Sequence, residues 1–342
     1  MGDILTLNGM RVPVNLRWLA FGVCLTVLVP VGAGQTKARQ GGSPHDVAPV
    51  FRVTLLGTGN PRPSIDRFGP STLIEAGKVR LLVDAGRGAS IRLFQAGGND
   101  LLAGIDAVLL THLHSDHVVG FPDLWLTGWI FGRQTPLAVY GPAGTAAMME
   151  HLRQAFSFDI TTRRDRDEHF APSGIELNVM EVGGGLALER DGVKVTAFLV
   201  DHGPVAPAYG YRIDYAGHSV VLSGDTRASD SLVRAAKGTD VLIHEVLSPE
   251  VERRLSKVSD PEKTARIIAH HVTPEEAGRV FARVGPRLAV YSHIVPSPTQ
   301  SDDLIRPTRK TYRGRLAVGY DLMLLTIGPD ITINRRPTIP ER

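Results

Sequence analysis

The segment Thr111-His112-Leu113-His114-Ser115-Asp116-His117 constrains this chain more than any other. It follows directly on Ile105–Leu110, a largely apolar run that reads as a buried central strand. Three imidazoles and a carboxylate within six residues are hard to justify as packing. At strand spacing, His112 and His114 project to the same side. A turn after them lets Asp116 and His117 face a second point nearby. Neutral imidazole and carboxylate are ligands that zinc accepts readily.

One such segment cannot complete the coordination of two metals, and later strand ends supply candidates. His202 follows the apolar run Val195–Val200. Asp225 follows Val220–Ser223, and His293 follows Ala289–Tyr291. Each is a polar residue at the exit of an apolar strand, where strand ends of one sheet edge converge.

The remainder alternates strand-like and helix-like stretches. Phe51–Gly57 reads as a strand ending at a glycine turn, and Ser71–Ala76 with Val79–Asp84 as a hairpin turned at Gly77-Lys78. Gly88–Ala96 and Ala143–Phe156 have helical spacing, and Leu137–Tyr140 reads as a strand. In the second half Val193–Val200, Ala208–Ile213, Ser219–Ser223, Val241–Glu245 and Leu288–Tyr291 read as strands, and Leu316–Ile327 as one or two more. Ala228–Ala236 and Thr273–Arg283 read as helices, the latter with Thr273 and Glu276 in capping-box positions. Residues 157–176 lack clear periodicity and read as an insertion or flap. The pattern is of two similar α/β halves, accommodated by two mixed sheets packed face to face with helices outside.

Composition narrows the class further. The 342 residues are 43% hydrophobic, which rules out wholesale disorder, and 36 Gly with 23 Pro argue against a helix bundle or coiled coil. A single cysteine, Cys24, excludes an intrachain disulfide framework and a thiolate-rich zinc site. The net charge of +3 makes no strong nucleic-acid field. The densest charged stretch, Arg163-Arg164-Asp165-Arg166-Asp167-Glu168, is mixed in sign and reads as a solvated loop.

The N-terminal region has its own grammar. Arg11 and Arg17 precede an apolar run from Trp18 to Val31, which ends in the small residues Gly32-Ala33-Gly34. The run is short of the roughly 20 residues of a membrane-spanning helix. Residues 1–34 therefore read as a secretory signal peptide and 35–49 as a flexible leader. The expected location is periplasmic or secreted, and cleavage near Ala33 removes the only cysteine.

Taken together, these motifs resemble those of the metallo-β-lactamase fold, a four-layer αββα sandwich, over residues 50–330, with 331–342 left as a C-terminal tail. The resemblance spans Asp84, the His112/His114/Asp116/His117 segment, His202, Asp225 and His293, in the family's order. It implies that His112, His114 and His202 hold one zinc, that Asp116, His117 and His293 hold a second, and that Asp225 bridges them. Asp84 matches the family's aspartate that orients a ligand histidine. Two Zn²⁺ per chain are implied, with manganese and iron left open by the donor set. Asp225 stands where β-lactamases of this fold carry cysteine, which argues against antibiotic hydrolysis. His114 stands where flavodiiron proteins carry glutamate, which argues against redox iron.

Leu56-Gly57-Thr58-Gly59, His244-Glu245-Val246 and His271-Val272-Thr273 resemble motifs of the tRNase Z and arylsulfatase branch. The resemblance implies a catalytic set of Asp116, Glu245 and His271, in which Glu245 holds the His271 imidazole and His271 protonates the leaving group. His270 is the adjacent alternative. A sulfate or phosphate ester is the expected substrate, attacked by a hydroxide held between the metals, as in an arylsulfatase or phosphodiesterase. Alternatives are a lactone, thioester or halogenated aromatic substrate, or a tRNase Z-like ribonuclease if the chain is not exported. The tRNA-gripping Gly/Pro-rich arm has no convincing counterpart here, so a small-molecule ester is favoured over nucleic acid. A homodimer is compatible with the branch. Phe121, Trp125, Trp129 and Phe131, just after the histidine segment, could line an aryl pocket or pack a helix beneath the site.

Overall fold

The computed structural model describes residues 50–255, 261–296 and 300–339. The expected signal peptide and leader lie outside them. The first half of the described chain contains β1 (Phe51–Gly57), β2 (Ser71–Ala76), β3 (Val79–Val83), α1 (Ala89–Ala103) and β4 (Ala107–Leu109). It continues through α2 (Ser115–Val118), α3 (Phe121–Ile130), β5 (Leu137–Gly141), α4 (Thr145–Ala155), α5 (Ser157–Thr161) and β6 (Leu177–Glu181). The second half opens with β7 (Gly185–Arg190), β8 (Val193–His202), β9 (Val205–Tyr215), β10 (His218–Leu222), α6 (Asp230–Ala235) and β11 (Val241–Leu247). Then come α7 (Pro249–Leu255), α8 (Pro261–Ala269), α9 (Pro274–Val284), β12 (Leu288–Val295) and α10 (Asp302–Thr308). The last strands are β13 (Leu316–Val318), β14 (Met323–Ile327) and β15 (Ile331–Arg335).

These strands form two mixed sheets, ordered β15-β14-β1-β2-β3-β4-β5-β6 and β13-β12-β11-β10-β9-β8-β7. The hairpin between β2 and β3 turns at Gly77-Lys78 as expected, with Ala76 paired to Val79 and Gly77 at a φ of 60°. Where strands run parallel, from β3 to β6 and from β10 to β13, the crossovers carry helices. Alternation along the strands then sorts the side chains into three layers. Val53, Leu55, Ile74, Leu81, Val195, Tyr211, Ile243 and Val290 meet between the sheets. Leu56, Leu82 and Val108 point outward under α1, α3 and α4, and Val221, Leu242 and Ala289 point outward under α6 and α9. This is the αββα sandwich. The α9 capping box is present, with the Glu276 amide donating to Thr273 Oγ1 and the Thr273 amide to Glu276 Oε2.

The two halves share one framework, since β13 extends the second sheet but β14 crosses to the first and pairs with β1. The boundary expected at residue 330 is corrected: the domain runs past it, because β15 pairs with β14 and Arg336 bonds Thr54 and Glu75. Of the two roles open to the aromatic residues after the histidine segment, helix packing is the one observed. Phe121, Trp125 and Trp129 are fully buried on the outer face of the first sheet, and none lines a pocket over the site. With Leu124 and Gly128 they make an i, i+3, i+4, i+7, i+8 stripe, the pattern of a helix face turned to the core. Their indole N–H groups donate to the carbonyls of Ile175 and Ala171, which fastens the 157–176 stretch against α3. Phe131, beyond the stripe, is exposed. The charged segment expected as a solvated loop is instead helical over its first part, since Thr162–Arg166 forms a π-helical turn that continues α5, with local ion pairs Arg163–Asp159 and Arg164–Asp165.

Candidate metal centre

All the implied ligands come together at one edge of the sandwich. The strand β4 ends at Leu109, and residues 110–114 bring His112 and His114 out of the sheet. The short helix α2 then swings Asp116 and His117 to one side. His202 closes β8, Asp225 lies in the loop after β10, and His293 sits within β12. Asp84 and His293 both adopt left-handed backbone, with φ of 58° and 45°. That conformation is unfavourable for non-glycine residues, by roughly 1–2 kcal/mol, and is held here by surrounding packing. Gly224, at φ 60°, precedes Asp225, and a Cβ there would lie 2.5 Å from the Tyr209 carbonyl. Glycine is thus required for the loop to deliver the carboxylate.

Three groups of donor atoms result, each with its ligand atoms within 4.8 Å of one another, and Asp225, His271 and His293 form one that overlaps the other two. Of those two, His112, His114, His202 and Asp225 form the first, and Asp116, His117 and His293 the second. Asp225 reaches both: Oδ2 is 3.9 and 3.8 Å from Nε2 of His112 and His202, and Oδ1 is 3.4 Å from His117 Nε2 and 3.5 Å from His293 Nδ1. Asp116 Oδ2 lies 3.2 Å from His293 Nε2.

The imidazoles are oriented from behind. His117 Nδ1 donates to Asp84 Oδ2 at 2.8 Å, His112 Nδ1 to Thr111 Oγ1 at 3.0 Å, and His202 Nδ1 to the His270 carbonyl at 3.1 Å. His112 and His202 thus turn an unprotonated Nε2 into the cluster, and His117 turns its Nε2 toward Asp225. Nε2 of His112 and His117, Nδ1 of His293 and Oδ1 of Asp225 are buried without hydrogen-bond partners. Burying such atoms is costly unless something else satisfies them. A set of desolvated lone pairs converging on one point fits a divalent cation, and the cluster can hold metal.

Electrostatics agree with that arrangement. Burial pushes the His112 imidazolium well below its usual range, so the ring is neutral. Burial would raise Asp225, but the rings of His293 and His117 outweigh it and hold the carboxyl well below the usual carboxylate range. Burial would lower His117, but Asp225 and Asp84 pull it up. Asp116 is likewise lowered, burial opposing and the His293 hydrogen bond prevailing.

Glu245 and His271 stand beside the cluster. Glu245 is buried in β11, and its Oε1 accepts from the amides of Thr226 and Val272, both at 3.2 Å. The same oxygen is 3.2 Å from His271 Nδ1. Burial lowers the His271 pKa, but Glu245 overrides it and carries it up to about 9. Of the two adjacent histidines, His271 is therefore the partner of Glu245, while His270 contributes its carbonyl to His202.

Sequence reasoning missed several contributors. Thr111 was visible only as the residue before His112. Asn60, Arg62, Glu252 and Lys263 belong to a pocket of about 630 Å³ above the cluster, and nothing in their local sequence marks them. Asp321, buried, accepts from the Thr58 amide at 3.0 Å and the Phe68 amide at 2.8 Å, which ties the β1–β2 loop beside the site.

The Beta-lactamase superfamily domain matches residues 79–294. Ribonuclease Z of Mycobacterium bovis (strain BCG / Pasteur 1173P2) is 38% identical over 286 residues, covering 82% of this chain and 99% of that protein. Among solved structures, the metallo-beta-lactamase fold protein YhfI from Bacillus subtilis is 21% identical with a TM-score of 0.62, over 81% of this chain and 99% of that one. The short form of human tRNase Z is 20% identical with a TM-score of 0.59, over the same shares of the two chains. With the sandwich, the ligand order and the Glu245–His271 pair all in accord, the chain belongs to the beta-lactamase superfamily, as a metallo-β-lactamase-fold hydrolase of its ribonuclease Z branch.

Proposed function

We propose that this protein hydrolyses phosphodiester bonds in RNA. The observation that carries the reading is the pairing of two metal-ligand groups sharing Asp225 with a Glu245–His271 pair, in a chain similar over nearly the whole length of a protein named Ribonuclease Z. The expectation of an arylsulfatase-like enzyme with nucleic acid outside its reach gives way to it. Net charge reports only the long-range field, whereas phosphate affinity at a metal centre is set by charge within a few Å.

In this reading His112, His114, His202 and Asp225 hold one divalent ion, and Asp116, His117, His293 and Asp225 hold a second. Zinc suits the donor set. Bound ions supply positive charge against the phosphate oxygens and acidify water. The chain's own residues do the rest. Asp116, kept ionised and lining the pocket, accepts a hydrogen bond from the attacking water. His271, held at Nδ1 by Glu245, gives the proton of its other nitrogen to the leaving ester oxygen. The amides of Thr226 and Val272 keep the Glu245 carboxylate in place while that proton moves.

The test is a substrate panel on the purified zinc-loaded protein: a single-stranded RNA, bis(4-nitrophenyl) phosphate, 4-nitrophenyl sulfate and 4-nitrophenyl acetate, each with and without chelator. Cleavage of RNA and of the phosphodiester, lost with chelator, is expected. Turnover of the sulfate with none of RNA would overturn the reading.

A second reading is an exported hydrolase of a small phosphodiester. It is favoured by the basic, apolar and small-residue order of residues 1–34. Cell fractionation with N-terminal sequencing of the mature protein tests it, and an intact N-terminus in the cytoplasmic fraction would overturn it.

A further inference from the structure

The pocket above the cluster contains two cations that the chemistry above does not use. One is Arg62, on the β1–β2 loop. Its amide donates to Asn60 Oδ1 at 3.0 Å, and Asn60 in turn donates to the Ile294 carbonyl at 2.6 Å. Its guanidinium donates to both carboxylate oxygens of Glu252 at 2.9 and 3.2 Å. Glu252 is only 3% exposed, whereas the Arg62 side chain is 50% exposed. The arginine is thus fixed at its base by a buried acid, with donors left over at the pocket wall.

The other is Lys263, on the first turn of α8. It is exposed at the pocket, and among the described residues no carboxylate lies within ion-pair range of its ammonium. The end of α8 is tied to the metal centre, because the His270 carbonyl just after it holds His202. Ile267, one turn beyond Lys263 on the same helix, and Val295 add an apolar wall.

The pocket has a volume of about 630 Å³, room for more than the one phosphate that meets the ligand groups. The scissile phosphate belongs at the floor, against the ligand groups. Cations on the walls then meet the charge next along the strand, and the apolar wall meets a base.

We propose that Lys263 and Arg62 bind the phosphate adjoining the bond that is cut, so that the site favours a strand carrying a second phosphate over an isolated ester. This rests on the phosphodiesterase reading above. It goes further by naming the residues that set substrate class.

Two measurements test it. The first is binding of a fluorescently labelled uridine trinucleotide to the metal-free full chain, followed by anisotropy. Lys263→Ala should weaken it about tenfold, the effect of losing one charge-assisted hydrogen bond. It should also reduce the slope of log Kd against log salt by about 0.7, the share of one phosphate contact on a single strand. Lys263→Arg should restore both, and Lys78→Ala, on the distant β2–β3 turn, should change neither. The second is the ratio of kcat/KM for the trinucleotide to that for bis(4-nitrophenyl) phosphate with the zinc-loaded protein. That ratio should fall about tenfold in Lys263→Ala, through KM rather than kcat. An unchanged Kd and salt slope in Lys263→Ala overturns the proposal. Equal losses on both substrates overturn it too, since they place Lys263 in the general chemistry. If wild type binds the trinucleotide with the expected Lys263 dependence but cleaves no phosphodiester, the phosphodiesterase reading fails and the recognition site stands.

Discussion

Asp84 and Thr111 are joined twice: the Thr111 amide donates to Asp84 Oδ1 at 2.8 Å, and its hydroxyl to Oδ2 at 2.9 Å. The hydroxyl oxygen also accepts from His112 Nδ1, while Asp84 Oδ2 accepts directly from His117. A single buried carboxylate therefore orients one histidine in each donor group, the first through a threonine. Thr111→Val keeps the shape but removes the relay to His112. Zinc affinity should fall by about 10–100-fold, the usual cost of losing a partner behind a metal ligand. Thr111→Ser should retain most of it. Isothermal titration of the metal-free protein with zinc checks this, and equal affinity in wild type and Thr111→Val refutes it.

Asp225 is the only residue shared by the two donor groups as they are proposed to bind metal. Asp225→Ala should lose bound metal and activity together, by more than the roughly 100-fold upper end for an indirect partner. Metal analysis alongside turnover would show it. Two metals retained at full activity would remove Asp225 from the centre.

His271 should matter in proportion to the leaving group's need for a proton. General acid catalysis contributes typically about 10²–10⁴-fold. Nitrophenolate leaves readily unprotonated, whereas an alkoxide does not. His271→Ala should therefore depress hydrolysis of an alkyl or ribose ester far more than of bis(4-nitrophenyl) phosphate. Glu245→Gln should follow the same order. Equal losses on both substrates would count against proton donation.

Away from the site, Asp240 links β11 to its neighbours. Its carboxylate accepts from the Ser219 amide at 2.8 Å and from Arg287 at 2.6 Å. Burial works to raise its pKa, but these hydrogen bonds prevail and lower it. A depressed carboxyl adds stability that is fully present above the unfolded pKa of about 3.9 and is lost as pH falls through the lower folded value. Asp240→Asn should thus be less stable than wild type at pH 7, by about 1.5–3 kcal/mol for the charged hydrogen bonds. The gap should close as pH drops below about 4. Urea unfolding at pH 7 and pH 3 measures both, and a gap that is constant with pH would contradict the assignment.

Local sequence determined what depends on neighbours along the chain. The Gly77-Lys78 hairpin needed only a two-residue turn between alternating strands. The Thr273–Glu276 capping box closed within four residues. The His112–His117 segment reads as a ligand group because a strand exit and one helical turn suffice to aim it. The core role of Phe121, Trp125 and Trp129 was also legible in their helical spacing, although their position after the histidines left a pocket open as the alternative. Tertiary structure alone decided the rest. Asp84, His202, Asp225 and His293 arrive from positions far apart in sequence, and only the packing of two sheets sets which of their atoms meet. The motif spacing already favoured His271 over His270, and the approach of Glu245 to its Nδ1 is what the tertiary structure added. The crossing of β14 to the first sheet, and the wall that Arg62 and Lys263 share, depend on contacts between segments about 200 residues or more apart. Hydrophobic burial is non-directional, so a chain's pattern states which faces are covered but not which distant segment covers them.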